Sequence, residues 1–462
     1  MKFVRLFVVS LLLVPLNALG GTGAKLYNEF MDSDALYPDP EWQEYIDDLG
    51  QKLLSHSKDR GKQYHFFVLD NPEINAFATA DAYIFVNRGL LAYMGSEDQL
   101  AAVVGHEIAH IVARHPDKRR AHGILGDSIG IIALALTGRW ELMEAADAAT
   151  RTMIMGYGRE HELEADEIGA QIMARAGYNP LATIEAVHVL KDQELFAMDV
   201  ANQPRSYHGL FATHPQNDKR LHEVVSYALD MLPEIMAEPS DRFWEMIDGL
   251  SYGSDSTVGI NTDNVFYDKT LRIAVEFPKA WDVSFNRQKV VGVAPNGESE
   301  ALLSVSRITP EDWVDYSDFL KNTLHVTNIT SESTLDIPGC CQVHIADLAV
   351  DGTTKKRSLI GLRIKGSDVF VIQGEAGPRG NSDDLLVDMK STLAGIRNLQ
   401  VADMKKAKTK RIKVIVAKPG DTYKKLADQS SLRNYPEETL RLINGHHPHS
   451  EPRAGDKIKI VQ

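Results

Sequence analysis

Beyond residue 20, apolar positions fall first at helical spacing and then, further along, at the alternating spacing of strands. In Asp39-Pro40-Glu41-Trp42 a capping residue precedes proline at the first helical position, and Trp42, Tyr45, Ile46, Leu49 and Leu53 follow one helix face, which predicts a helix. Tyr64 to Leu69 and Tyr83 to Val86 are rich in aromatic and β-branched residues and predict strands. A second helix starts at Ser96, with Gln99 placed to complete a capping box, and runs to Arg114 ahead of His115-Pro116. Leu100, Val103, Val104, Ile108, Ile111 and Val112 are its apolar positions. Gly177 and Asn179-Pro180 separate two further helices.

From residue 256 the pattern changes to short strands: Leu271 to Phe277, Val290 to Val293, Ala301 to Ile308, Leu359 to Ile364 and Val369 to Gly374. A helix from Ser382 to Ile396 follows, with Asp383 and Asp384 in its first turn. A basic stretch, Lys405 to Arg411, leads into the last segment. The expected class is α+β: a mainly helical domain over 21–255, a small α+β accessory domain over 256–400, a basic linker over 401–410 and a terminal βααβ domain over 411–462. No 34-residue or similar period recurs, which argues against a helical-repeat array.

Composition narrows the function. The 462 residues are 44% hydrophobic and 25% charged, an ordinary globular balance with room for several domains. The net charge of -14 argues against nucleic acid and against whole-surface adhesion to anionic lipid, both of which need a positive field. Residues 1–20 carry Lys2 and Arg5, an apolar run from Leu6 to Leu16 and then Ala18-Leu19-Gly20, the parts of a secretory signal peptide. A periplasmic location after cleavage is the expectation. The internal apolar run Ile129 to Leu136 is too short to span a bilayer; it reads as a packed core helix, with peripheral membrane contact as the other option. Cys340 and Cys341 are adjacent and read as reduced thiols or, in an oxidising compartment, as a strained vicinal disulfide or a pair between chains.

The chemistry lies in His106-Glu107-Ile108-Ala109-His110, inside the capped helix. Two His four residues apart share a helix face and can reach one metal ion, while the Glu beside them suits a general base acting on a water that the metal acidifies. A catalytic zinc needs a third protein ligand. Metzincin spacing is excluded because Ala113 and Pro116 stand where Gly and His would be required, and His115 reads as a helix-terminal residue. The next amphipathic helix offers Glu160, Glu162, Glu164 and Asp166. Glu162 and Asp166 share a face at i,i+4, one able to bind metal while the other holds a ligating His by its second nitrogen, with Glu160 and Glu164 solvated. Spacing does not choose among these acids.

His-Glu-x-x-His followed by Glu-x-x-Ala-Asp resembles the gluzincin family of zinc metallopeptidases that contains the CAAX prenyl endopeptidases, stress-induced inner-membrane proteases and a secreted bacterial branch. The resemblance covers about residues 25–250. Asn75-Ala76-Phe77-Ala78 is similar to the family's Asn-Ala-Phe segment, and Thr213-His214-Pro215 with Arg220 to its downstream Thr-His-Pro segment. It implies one zinc ion per chain on His106, His110 and Glu162, with Asp166 and Arg220 in support. Glu107 would then be the base, and His214 an oxyanion stabiliser or a reversible lock. Asn75, Ala76, Phe77 and Tyr83 would bind substrate, an extended peptide adding to the edge of the Tyr83 to Val86 strand. The family often has Gly-Gly where this chain has Asp81-Ala82.

Residues 411–462, with Gly420-Asp421-Thr422, Asn444-Gly445 and Gly455-Asp456-Lys457-Ile458, resemble a LysM module, which implies peptidoglycan binding. The expected function is a periplasmic zinc metalloendopeptidase that hydrolyses misfolded or outer-membrane protein clients. The alternative is a noncatalytic chaperone-like or wall-binding scaffold that uses the same core to grip clients.

Overall fold

A computed structural model describes residues 21–32, 35–116, 159–200, a few positions between 226 and 232, 241–253, most of 259–406, and 409–462. The proposed signal segment, the run Ile129 to Leu136, Cys340, His214 and Arg220 lie outside the described residues. The chain divides into two compact units: Val258–Lys408, and Gly20–Thr257 together with Thr409–Gln462.

In the second of these units, α1 (Thr22–Asp32) is followed by α2 (Pro40–Ser55), which starts as its sequence predicts. Asp39 accepts the backbone N–H groups of Glu41 and Trp42, Pro40 opens the first turn, and Trp42, Tyr45, Ile46, Leu49, Leu53 and Leu54 are buried. Strands β1 (His65–Leu69), β2 (Ala76–Ala78) and β3 (Tyr83–Asn87) form a sheet in the order β1-β3-β2, with β1 parallel and β2 antiparallel to β3. Alternation gives the sheet two different faces. Phe66, Val68, Ile84 and Val86 join the core built by α2 and the helix that carries His106 and His110, whereas Phe67, Phe77, Tyr83 and Phe85 stack on one another and pack with Leu26 and Phe30 of α1.

This order corrects one expectation. The Tyr83 strand is central and paired on both sides, so no peptide can add to its edge. The outer side of β1 is occupied as well: Tyr37 donates its backbone N–H to Val68 O, and the Gln43 amide exchanges two hydrogen bonds with Val68. The outer side of β2 has no strand partner among the described residues. Asp81-Ala82, which replaces the glycines of the resembled family, has its own use: the Asp81 carboxylate accepts the N–H groups of Gly23 and Ala24 at the start of α1, and Ala82 takes a φ of 66°.

The remaining described elements of this unit are α3 (Arg88–Tyr93), α4 (Glu97–Val112), α5 (Arg159–Arg175), α6 (Ala182–Asp199), α7 (Asp241–Ile247) and the C-terminal segment. Residues 411–462 run strand, helix, helix, strand, with Ile412–Val416 antiparallel to Lys457–Val461 and Tyr423–Ala427 and Pro436–Ile443 between them. The sequence sets this segment apart; in the structure it is part of the same compact unit as 20–257. Residues 249–252 continue its hairpin through the backbone pairs Gly249 N–H to Ile412 O, Ile412 N–H to Leu250 O and Tyr252 N–H to Lys410 O. Lys459, fully buried, donates to the carbonyls of Ala92 and Met94 at the end of α3, each at 2.8 Å.

The unit Val258–Lys408 holds a seven-stranded antiparallel sheet in the order Ile329–Ile337, Cys341–Leu348, Ser358–Lys365, Asp368–Ala376, Ala301–Ile308, Val290–Val293, Asp282–Phe285. A smaller sheet, Arg397–Asn398, Ile273–Glu276, Val265–Asp268, Gly259–Thr262, accompanies it. Leu385, Met389 and Leu393 of the helix Ser382–Ala394 pack with Phe266, Phe277 and Trp281 in its core.

Candidate metal centre

Helix α4 carries His106, Glu107 and His110, and its first turn is tied to three other elements. The Ser96 side chain accepts the Gln99 N–H at 3.2 Å, and the Gln99 side chain turns back to accept the Gly95 N–H at 2.7 Å, one residue before the position a capping box uses. The Glu97 carboxylate accepts the hydroxyls of Tyr45 from α2 and Tyr178 from the segment after α5, at 2.6 and 2.9 Å. Asp98 accepts the Asn179 N–H at 2.8 Å, and Gln99 donates to Glu185 of α6 at 2.9 Å. These polar anchors fix the helix along its axis; Leu100, Ala101, Val104 and Ile108, all fully buried, fix its rotation.

Against this helix α5 brings the acids. His106 Nε2 and His110 Nε2 lie 2.9 Å apart and face the Glu162 carboxylate, whose two oxygens each lie 3.5 Å from one of them. These three residues form the group among the described residues whose ligand atoms lie within 4.8 Å of one another. A tetrahedral ion with bonds of about 2.0 Å spaces its ligand atoms roughly 3.3 Å apart, so shifts of a few tenths of an ångström admit one. Asp166 Oδ1 lies 2.9 Å from His106 Nδ1, the geometry by which a carboxylate fixes a ligating imidazole in the tautomer that leaves Nε2 bare.

The electrostatics fit a cation. Burial pulls the His106 pKa down, but hydrogen bonds and charge from Asp166 and Glu162 override it and raise it to about 10. Glu162 is fully buried and faces both imidazoles, an acceptor set that suits a divalent ion, and Glu107 is almost fully buried on the same helix as the imidazoles. The His106 side chain is 12% exposed, against none for His110 and Glu162, so the site opens on the His106 side.

The structure thus brings His106, His110, Glu162 and Asp166 together, with Glu107 on the same helix. Asn75 and Ala76 are buried and Phe77 is half-buried, all on or beside β2, whereas the Tyr83 ring stacks on His65 at 4.5 Å in the aromatic layer on the α1 face. Sequence reasoning set aside one residue that belongs here: His115, read as a helix end, is fully buried with its Nδ1 2.8 Å from His110 Nδ1. Glu164 is half-exposed, in keeping with its reading as solvated, and reaches His115 Nε2 at 3.1 Å. The signal was in the sequence as a third His five residues after the motif, but only the backbone turn brings it back to the site.

The comparisons with known proteins agree with this chemistry. Residues 40–228 match the model of peptidase family M48. A beta-barrel assembly-enhancing protease of Escherichia coli is 32% identical over 220 residues, covering 46% of this chain and 44% of that protein, and the one of Yersinia pestis is 30% identical over 234 residues, 48% and 46%. The mitochondrial metalloendopeptidase OMA1 of Schizosaccharomyces pombe is 29% identical over 207 residues, covering 44% of this chain and 57% of that protein. The chain therefore spans about half the length of the curated relatives it matches. A solution structure of cyanobacterial PsbP from Synechocystis covers 31% of this chain at 13% identity, with a TM-score of 0.21 too low to bear on fold or function. A partly buried histidine, a buried histidine and a buried carboxylate thus converge as a group that could hold one ion, on the stretch that matches the peptidase family M48 model and is similar to relatives named as proteases.

Proposed function

We propose that this chain is a periplasmic, zinc-dependent endopeptidase that cleaves misassembled proteins of the cell envelope. The observation that carries the reading is the convergence of His106 Nε2, His110 Nε2 and the Glu162 carboxylate, with Asp166 behind His106. Zinc is the ion this donor set favours, because two imidazoles and one carboxylate leave a position open in a four-coordinate shell. When bound, the ion supplies Lewis acidity toward a peptide carbonyl and a water. Glu107 would take a proton from the attacking water as its oxygen bonds to the carbonyl carbon, and would return it to the amine nitrogen as the C–N bond breaks. Asp166 holds His106 in its ligating tautomer; for His214 and Arg220, which lie outside the described residues, the proposed roles are those set out from the sequence, oxyanion stabiliser or reversible lock for His214 and support of Asp166 for Arg220.

The substrate enters as an extended strand along β2, where Asn75, Ala76 and Phe77 set its register; the outer side of β2 supports this, being without a strand partner among the described residues. The beta-barrel assembly-enhancing proteases among the relatives support an envelope client, and no described helix is long and apolar enough to cross a membrane. Residues 411–462 are read as a peptidoglycan-binding module, a reading supported by their strand, helix, helix, strand order.

Glu107→Gln is expected to retain one equivalent of zinc and lose chelator-sensitive cleavage of casein, and Glu162→Ala to lose the zinc. Wild-type cleavage by Glu107→Gln would overturn the mechanism. Envelope proteins trapped on Glu107→Gln in cells, identified by mass spectrometry, test the client class.

A further inference from the structure

The two metal-facing histidines are held from behind in different ways. His106 presents Nδ1 to a carboxylate, Asp166, at 2.9 Å. His110 presents Nδ1 to a second imidazole: His115 Nδ1 lies 2.8 Å away, and the far nitrogen of that ring, Nε2, lies 3.1 Å from Glu164 Oε2. The His115 ring is fully buried and stacks on His161 of α5, with ring centroids 4.3 Å apart and planes 28° from parallel. Two ring nitrogens at hydrogen-bond distance share a single proton.

The chain of contacts assigns that proton. An ionised carboxylate only accepts, so His115 Nε2 carries a proton toward Glu164. A neutral His115 then offers a bare Nδ1, and the shared proton belongs to His110 Nδ1. That leaves His110 Nε2 with its lone pair, aimed at His106 Nε2 and Glu162. A His115 with the opposite tautomer would put the proton on His110 Nε2 and block ligation.

We propose that His115, anchored by Glu164, is a positioning residue that fixes the ligating tautomer and orientation of His110, as Asp166 does for His106. The proposal rests on the metal reading above and deepens it. It differs from the usual carboxylate-backed histidine in that an imidazole is interposed, so Glu164 acts on His110 at one remove.

The test is zinc affinity of the full chain, measured by competition with a chromophoric chelator, alongside the melting temperature in excess chelator. His115→Phe keeps the ring and its stack on His161 but removes the acceptor; zinc affinity is expected to fall about 10- to 100-fold with little change in the metal-free melting temperature. His115→Gln, whose amide oxygen can accept from His110 and whose NH2 can donate to Glu164, is expected to recover most of the loss. Glu164→Gln, at a half-exposed position, is expected to weaken binding by a smaller factor. Wild-type affinity in a folded His115→Phe, or no recovery in His115→Gln, overturns the proposal; if His115→Phe does not fold, wild-type affinity in Glu164→Gln does so. A wild-type protein that takes up no zinc overturns the metal reading and this inference with it, whereas normal uptake with unaltered variants overturns this inference alone.

Discussion

Gly105 of α4 and Gly169 of α5 cross backbone to backbone beside His106. A Cβ on Gly169 would stand 3.1 Å from the His106 nitrogen and 3.2 Å from the Gly105 carbonyl carbon, whereas a Cβ on Gly105 would meet its nearest neighbour, Gly169 O, at 3.5 Å. The crossing is therefore tight in one direction only. It sets how closely α5 can carry Glu162 to the two imidazoles, since Glu162 lies two turns before Gly169.

The asymmetry predicts opposite outcomes for two similar substitutions. Gly169→Ala forces the helices apart against unyielding backbone, so it should cost about 1–3 kcal/mol and weaken metal binding as Glu162 retreats. Gly105→Ala fits in ordinary contact and should be neutral or gain up to about 1 kcal/mol of helix propensity. Urea unfolding in chelator and zinc titration measure both; equal effects at the two positions would show that the crossing does not set the ligand distance.

Arg88 is 1% exposed and divides its guanidinium among three oxygens: Asp70 Oδ1 at 2.7 Å, Ser251 O at 2.5 Å and Gly253 O at 2.9 Å. Removing it leaves the Asp70 carboxylate and two carbonyls without this partner, so Arg88→Ala should cost about 3–5 kcal/mol. Arg88→Lys should recover little, because a point charge cannot serve three directions at once. Chemical denaturation of the two variants decides; full rescue by lysine would show that charge alone matters.

Lys459 gives a pH dependence. Burial pushes its pKa down from 10.5 to about 7. Between these values the unfolded chain binds a proton that the folded chain does not, so this residue makes stability rise with pH from about 7 to 10.5, with the folded state paying its full penalty below 7. Lys459→Met lacks the titration. The stability of wild type minus that of the variant should climb through this window by at most about 1.4 kcal/mol per pH unit; a flat difference would mean that the lysine keeps its charge when buried.

The outer side of β2, without a strand partner among the described residues, can be probed without disturbing the ladder. Asn87 donates to Asn75 O and Thr79 donates to Tyr83 O, so by alternation the backbone groups of Asn75, Phe77 and Thr79 face β3 and those of Ala76 and Ala78 face outward. Ala78→Pro removes an outward N–H, which proline tolerates on an edge. The expected result is a raised KM for peptide cleavage with zinc content unchanged; an unchanged KM would place the substrate elsewhere.

Much of the site was legible because helix periodicity is a local property. The cap at Ser96, the four-residue spacing of His106 and His110 and the shared face of Glu162 and Asp166 each follow from residues a turn apart. Which acid would bind was not legible, since it depends on where α5 crosses α4. His115 was misread for a specific reason: continued as helix, five residues place it round the far side from His110, but Arg114 adopts a φ of 58°, and this left-handed turn folds His115 back beneath the ring. The misplaced substrate strand has a similar origin, because alternation shows that Tyr83 to Val86 is extended but not which neighbours it has in the sheet.

The C-terminal hairpin is stitched to residues 249–252, and Lys459 Nζ donates to the carbonyls that end α3. Cutting the chain before residue 409 would thus do more than remove an appendage: it would open a seam of backbone to water directly ahead of the helix that carries the histidines.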